Sequence, residues 1–280
     1  MTKFSLLINC LLVAVSLAPS LAHTAAATRP RIGLVLGGGG ARGAAHVGVL
    51  EVLEKLRVPV DCVAGTSMGA LVSGAYAAGL SPAEMRSELA KADWNDMFQD
   101  NPTYADINYR NKAISTRFMP GSETGVGDKG VAYQAGVVSG QKIKLFFNRL
   151  VSSVLGEREI ESLPLPLSII GTDIGNGDKV VFREGRVTKA MRASMSVPGL
   201  KAPVDHQGRK LVDGGLVDNV RIDEARARCL ADIVIAVNVG SPLMKAEDVG
   251  SLLTVSVQMV NILTEQNVTR SLASLKPTDI

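Results

Sequence analysis

A chain of 280 residues has the length for one sizeable domain or two small ones, and 46% hydrophobic with 20% charged residues excludes a disordered chain. A formal charge of +3, with Lys and Arg scattered along the sequence, excludes a dedicated polyanion binder, so no nucleic-acid partner is expected. Three cysteines and three histidines fall in no ligand spacing; neither a metal site nor a cofactor is expected.

The first thirty residues differ in kind. Lys3 precedes the apolar run "FSLLINCLLVAVSL", Pro19 and Ser20 follow, and Ser20-Leu21-Ala22 places small residues where a signal peptidase reads. Residues 1–22 are expected to be a signal peptide and 23–30 an Ala-rich linker, with cleavage after Ala25 or Ala27 equally legal. An uncleaved anchor is disfavoured, because the run falls short of the ~20 apolar residues that a spanning helix needs. Cys10 lies inside the run and not at its end, which argues against a lipid-modified cysteine. The chain is thus expected in the periplasm, at the outer membrane or outside the cell.

Further on, "RIGLVL", "PVDCVAG", "PLSIIGTDI", "KVVF" and "ADIVIAVNV" read as strands. Helices are expected over Ala41–Arg57, where Ala45, Val49, Val52, Leu53 and Leu56 recur at helical spacing, and over Met68–Ala78. Ser81-Pro82 opens a third with Glu84 in its first turn, Gln141–Leu155 is a fourth, and Asp248–Ser274 a fifth. Alternation of strands and helices predicts an α/β layered fold with a mostly parallel sheet. Residues 95–139 hold no period and read as a long loop, while Asn176-Gly177 between apolar runs predicts a hairpin. Cys62 and Cys229 adjoin apolar segments and are expected as inert buried thiols; a disulfide is the alternative in an exported chain. The end at Ile280 reads as the start of another element, so a longer native protein is expected.

Three glycine-rich sites carry the chemistry. In Gly65-Thr66-Ser67-Met68-Gly69 a serine stands between a strand and a helix, the context of a strained nucleophile elbow whose helix N-terminus favours an oxyanion. Gly38-Gly39-Gly40-Ala41-Arg42-Gly43 follows a strand and opens a helix, so it could wrap a dinucleotide or present backbone N–H groups to an oxyanion. The dinucleotide reading needs an acid at the end of the second strand; Asp61 stands at its beginning, and that reading is set aside. The third site is Asp213-Gly214-Gly215, in which the aspartate is either a hairpin residue or a general base. No histidine competes well: His23 belongs to the export segment, His206 reads as a solvated turn tip, and His46 packs in the first helix. A Ser67–Asp213 dyad is chemically admissible.

The ordered set "GLVLGGGGARGAAHVGVLEVLEKL", "GTSMGALVSGAYAAG", "AMRASMSVPGL" and "LVDGGLVDN" resembles the patatin-like phospholipase family across roughly residues 31–238. The resemblance implies a three-layer α/β/α sandwich as a catalytic domain over 31–240, with 241–280 as its helical extension. It implies a lipid acyl hydrolase of phospholipase A, lysophospholipase or carboxylesterase type, with Ser67 as nucleophile, Asp213 as base, and Gly38, Gly39, Gly40, Arg42 and Gly43 as the oxyanion loop. Its partners would be a phospholipid or other acyl-ester lipid and, transiently, a membrane surface. Gly37 stands where relatives often have Ser, and Arg221 where many have Pro. The leader and the unfinished end also resemble patatin-type autotransporters, whose lipase passenger precedes a barrel. Alternatives are a lipid-binding module with an idle dyad and an acyltransferase. Within the long loop, Tyr104, Ile107, Tyr109, Phe118 and Met119 among Arg110, Lys112 and Arg117 suit the acyl and phosphate parts of a lipid; a plain surface loop is the other reading.

Overall fold

A computed structural model of the chain describes residues 29–97, 108–109, 112, 124–127, 130–133, 136–138, 140–151 and 157–280. The leader over 1–22, most of the linker, and all of the basic and apolar loop residues named above except Tyr109 and Lys112 lie outside these. The strands are β1 (Ile32–Leu36), β2 (Cys62–Thr66), β3 (Thr124–Gly127), β4 (Gly130–Tyr133), β5 (Gly136–Val138), β6 (Leu167–Asp173), β7 (Lys179–Phe182), β8 (Gly199–Lys201), β9 (Val204–His206), β10 (Arg209–Asp213) and β11 (Ile233–Val237). The α-helices are α1 (Ala45–Lys55), α2 (Met68–Ala77), α3 (Pro82–Lys91), α4 (Trp94–Met97), α5 (Gln141–Val151), α6 (Val187–Ser194), α7 (Ile222–Cys229) and α8 (Leu252–Leu272).

The main sheet runs β11-β1-β2-β6-β10-β9, with β7 also paired to β6. The expected parallel arrangement holds for β11, β1, β2 and β6; β7, β10 and β9 pair antiparallel, so the sheet is mixed. Central strands buried on both sides alternate between two cores. Leu34, Leu36 and Val63 face a cluster closed by α1, α2, α5 and α6, whereas Val35, Cys62 and Ala64 face one closed by α7 and α8. Those two clusters make the layers helix, sheet, helix. Helix α2 is buried at nine of its ten residues, which its small side chains permit.

The register along β6 positions the site. Ile169–Thr172 pair on one edge with the hairpin strand β7. On the opposite edge Ile170 pairs with Thr66 of β2, and the next residue, Gly171, pairs with Asp213 of β10. Strands β2 and β10 therefore meet end to end along one edge of β6, and the residue after Thr66 emerges beside Asp213. Side chains 146 positions apart in sequence become neighbours through this register.

The first expected helix opens as a 3-10 turn over Gly40–Ala44 before α1 begins. Helix α3 carries the full Ser81–Glu84 capping box, and the Asn176-Gly177 turn joins β6 to β7 with Gly177 at φ +77°. Helices α6 and α7 have no counterpart in the sequence reading, since eight residues are too few to establish a helical period.

The cysteine expectation is corrected. Cys62 and Cys229 form a disulfide, with Cα atoms 5.8 Å apart and a sequence separation of 167. Cys62 is buried and Cys229 partly so, and only the packing of α7 against β1 and β2 brings the two sulfurs together. Cross-linking so long a loop restricts the unfolded chain, so the Cys62→Ala/Cys229→Ala variant is expected to lose about 4 kcal/mol of stability in urea titration. An unchanged urea midpoint would contradict a structural role for the bridge.

Candidate active site

Ser67 occupies the turn from β2 into α2 at φ +53° and ψ −122°, outside the regions that L-residues prefer. Such a backbone costs about 1–3 kcal/mol and persists only when its surroundings over-determine it. Here they do: the Ser67 N–H donates to Ser194 Oγ at 2.8 Å, and the Ser67 carbonyl accepts from Ala70 N at 2.9 Å. The flanking glycines answer to close approach. A Cβ on Gly65 would lie 2.1 Å from Ser73 Oγ, and one on Gly69 would lie 2.0 Å from the Leu36 carbonyl.

The Ser67 hydroxyl donates to Asp213 Oδ2 at 2.6 Å. The second carboxylate oxygen of Asp213, Oδ1, accepts from the Gly215 N–H at 2.8 Å. Gly214 lets the chain turn against β6, because a Cβ there would lie 2.3 Å from the Ile170 carbonyl. The Asp213 backbone is fixed too, its N–H donating to Ser196 O and its carbonyl accepting from Thr172 Oγ1 at 2.8 Å. Asp213 is buried, and burial pushes its carboxyl up from 3.8 to about 6, against the opposing effects of the Ser67 hydroxyl, the Gly215 N–H and the Lys201 ammonium.

Lys201 is a site residue that sequence reasoning missed. It is buried on β8, and burial together with the charge of Arg192 holds it down at about 8, Asp213 opposing. In the sequence it follows Gly199-Leu200 and precedes Ala202-Pro203, where a lysine reads as an ordinary surface residue.

The glycine loop lies against this pair, but its members differ in what they offer. Gly38 packs so tightly that a Cβ would fall 2.8 Å from Ser67 Cβ, and its N–H and carbonyl are both taken by the Asn219 side-chain amide, at 2.8 and 3.0 Å. The Arg42 N–H donates to Gly39 O, and the Arg42 guanidinium donates to Gly240 O. Gly43 leaves room for Met68, whose Cγ would be 2.2 Å from a Cβ. Gly39 is required by the Val239 carbonyl, which a Cβ would approach to 2.2 Å, and Gly40 by its φ of +56°. The N–H groups of Gly39, Gly40 and Ala41 precede the first i→i+3 bond of the 3-10 turn and have no acceptor within it.

Neither described histidine bonds to the dyad. His46 is fully buried, and burial pushes its imidazole pKa down against the opposing Gly37 hydrogen bond; its Nε2–H donates to Gly37 O at 2.7 Å, bracing the loop from behind. His206 ends β9 with its ring edge-on to Phe182 at 5.0 Å, so the turn tip is Gln207-Gly208 and the imidazole is less solvated than expected. Asp61 accepts from Ile32 N at 2.7 Å at the opposite end of β2, consistent with setting the dinucleotide reading aside.

Two spaces meet at Ser67. A cavity of about 260 Å³ is walled by Met68, Leu89, Trp94, Met195, Val197 and Leu200, with Lys201 also at its wall. A cleft of about 370 Å³ on the other side is lined by Gly38–Arg42, Asp213, Asn219 and, from α8, Val257, Val260, Asn261 and Thr264. A hydroxyl hydrogen-bonded to a carboxylate, beside backbone N–H groups that have no acceptor within the 3-10 turn and between an apolar cavity and a cleft that holds more polar groups, can attack an ester carbonyl.

The family model described as patatin-like phospholipase matches residues 34–226. A patatin-like phospholipase domain-containing protein of Caenorhabditis elegans is 38% identical over 216 residues, which cover 75% of this chain and 14% of that protein. Patatin-like phospholipase domain-containing protein 7 of Rattus norvegicus is 36% identical over 75% of this chain and 14% of its own length. Lysophospholipase nte1 of Emericella nidulans is 34% identical over 75% of this chain and 12% of its own length. The chain thus spans only a small fraction of the curated relatives it matches. Among solved structures, VipD from Legionella pneumophila aligns at TM-score 0.45 and 12% identity over 74% of this chain and 50% of that one. The ExoU–SpcU complex of Pseudomonas aeruginosa aligns at TM-score 0.40 and 18% identity over 88% and 52%.

Proposed function

The chain belongs to the patatin-like phospholipase family, and on that premise we propose that it hydrolyses acyl esters of lipids with Ser67 as nucleophile and Asp213 as general base. The observation that carries this reading is the 2.6 Å hydrogen bond from Ser67 Oγ to Asp213 Oδ2 at the junction of the apolar cavity and the cleft. The acyl chain enters the apolar cavity and the alcohol or head-group side lies in the cleft. Asp213 takes the hydroxyl proton as Ser67 Oγ bonds to the ester carbonyl carbon, and the Gly39 and Gly40 N–H groups receive the oxyanion. As the C–O bond to the alcohol breaks, Asp213 returns the proton to the leaving oxygen. Water then attacks the acyl-serine, again giving its proton to Asp213, and the carboxylic acid departs as Ser67 is regenerated.

Mass spectrometry of products from a mixed phospholipid extract tests this reading. Release of free fatty acid, with or without accompanying lysolipid, supports it; no product would favour a lipid-binding module, and an acylated acceptor without free fatty acid would favour an acyltransferase.

The transient membrane contact is proposed to be made by α8. Among the described residues no helix is long and apolar enough to cross a membrane. Yet α8 carries no charge before Glu265, and Val255, Met259 and Ile262 are 41%, 59% and 38% exposed on the helix whose Val257 and Val260 line the cleft. Exposed apolar surface on a helix that also lines a lipid-cleaving cleft suits the hydrocarbon of the surface from which the substrate is drawn. Replacing Val255, Met259 and Ile262 together by Asn is expected to slow vesicle hydrolysis about tenfold or more while leaving a short soluble ester within about twofold. Equal losses on both substrates would remove the membrane from this face.

Export is proposed on the leader pattern and the Cys62–Cys229 disulfide, which persists in an oxidising compartment. The relatives reported are animal and fungal proteins, and their descriptions lend the autotransporter resemblance no support.

A further inference from the structure

Helix α8 lies wholly beyond the residues matched by the family model, yet one of its side chains ties together the two halves of the site. Asn267 is buried. Its Nδ2 donates to Gly215 O at 2.8 Å and to Leu263 O at 2.9 Å, and its Oδ1 accepts from the Asn219 N–H at 2.9 Å. Thr264, one turn earlier, adds a second donor to Gly215 O at 3.1 Å.

Each of these contacts leads on to a reacting group. The Gly215 peptide whose neighbouring carbonyl Asn267 holds presents its N–H to Asp213 Oδ1, which leaves Oδ2 turned to Ser67. The Asn219 backbone that Asn267 holds carries the amide that brackets both polar groups of Gly38, the residue directly before the proposed oxyanion donors. Base and oxyanion loop come from strands far apart in sequence, and Asn267 is one buried side chain bonded to both supports.

We propose that Asn267 is a positioning residue of the catalytic site, and that α8 is therefore part of the catalytic unit and not an appended extension. This inference rests on the dyad reading proposed above. Its action is indirect: it sets the Gly215 N–H that orients the Asp213 carboxylate and the Asn219 amide that sets the loop. Loss of these bonds should lower kcat and leave KM nearly unchanged, because neither lipid space is lined by Asn267. With the Gly215 N–H less well aimed, the charged form of Asp213 loses part of its stabilisation, so the acid limb of kcat/KM should move to higher pH.

The test uses the full chain and a soluble p-nitrophenyl ester, with wild type, Ser67→Ala, Asn267→Leu, Asn267→Ser and the disulfide-free Cys62→Ala/Cys229→Ala variant measured side by side. Asn267→Ser leaves room for water and serves where Asn267→Leu does not fold. The expected result is a kcat reduced about tenfold to a hundredfold with KM within about twofold, and an acid limb raised by about half a pH unit or more. The disulfide-free variant loses stability at the opposite end of β2 and should move neither kcat nor the acid limb. A folded Asn267 variant with wild-type kcat and acid limb, even one with a lower Tm, overturns the inference alone. A wild type with no Ser67-dependent turnover overturns the proposed function and this inference with it.

Discussion

Ser67→Ala is expected to lower ester hydrolysis by about four to six orders of magnitude and to abolish labelling by a fluorophosphonate probe. The change removes one oxygen from a residue whose strained backbone is held by Ser194 and by the first turn of α2, and none of those bonds involves the hydroxyl. The fold should persist, with Tm within a few degrees of wild type. What disappears is the proposed attacking atom, which is also the donor at 2.6 Å from Asp213 Oδ2. Residual turnover near wild type in a cleanly purified variant would mean that the elbow only packs.

Asp213→Asn should produce the second-largest loss, about three to four orders of magnitude in kcat, because an amide cannot accept the serine proton. The same carboxylate sets the pH dependence. It must be ionised to act, and burial raises it to about 6, so wild-type kcat/KM should fall about tenfold per pH unit below that value and level off above it. Stability runs the other way. The folded value lies above the unfolded 3.8, so the native state holds the proton more tightly and stability declines as pH rises between about 4 and 6. Above that window the buried charge costs about 3 kcal/mol, since one pKa unit corresponds to about 1.4 kcal/mol. Asp213→Asn is therefore expected to be inactive and more stable than wild type at pH 7, with the difference vanishing below about pH 4. His46→Ala and His206→Ala, assayed alongside, should keep substantial activity. Loss of several orders of magnitude in either, with the fold intact, would return a histidine to the role of base.

Much of this site is legible in the sequence alone, for physical reasons that differ from residue to residue. Ser67 announces itself because a strained turn between strand and helix demands small neighbours, and a Cβ on Gly65 or Gly69 would meet side-chain or backbone atoms at about 2 Å. Asp213 is legible as a possibility from the turn chemistry of Gly214-Gly215, but its pairing with Ser67 depends on the adjacent registers of β2 and β10 on β6, a long-range fact that no local pattern carries. Lys201 stays hidden because burial of a lysine leaves no local trace. Gly38 and Arg42 look equivalent to Gly39 and Gly40 in the sequence, and only the Asn219 amide and the 3-10 turn separate amides already engaged from those with no acceptor in the turn. The disulfide and Asn267 share that cause, each resting on a contact made by a helix, α7 or α8, laid across the sheet.

The most direct test of the central claim is capture of the covalent intermediate. Wild-type chain mixed with excess p-nitrophenyl ester and quenched in acid within the first turnovers should yield a peptide carrying one acyl group on Ser67. The Asp213→Asn variant under the same quench should yield almost none. Steady release of p-nitrophenol from wild type with no acylated Ser67 peptide, or with the acyl group on another residue, would contradict the account.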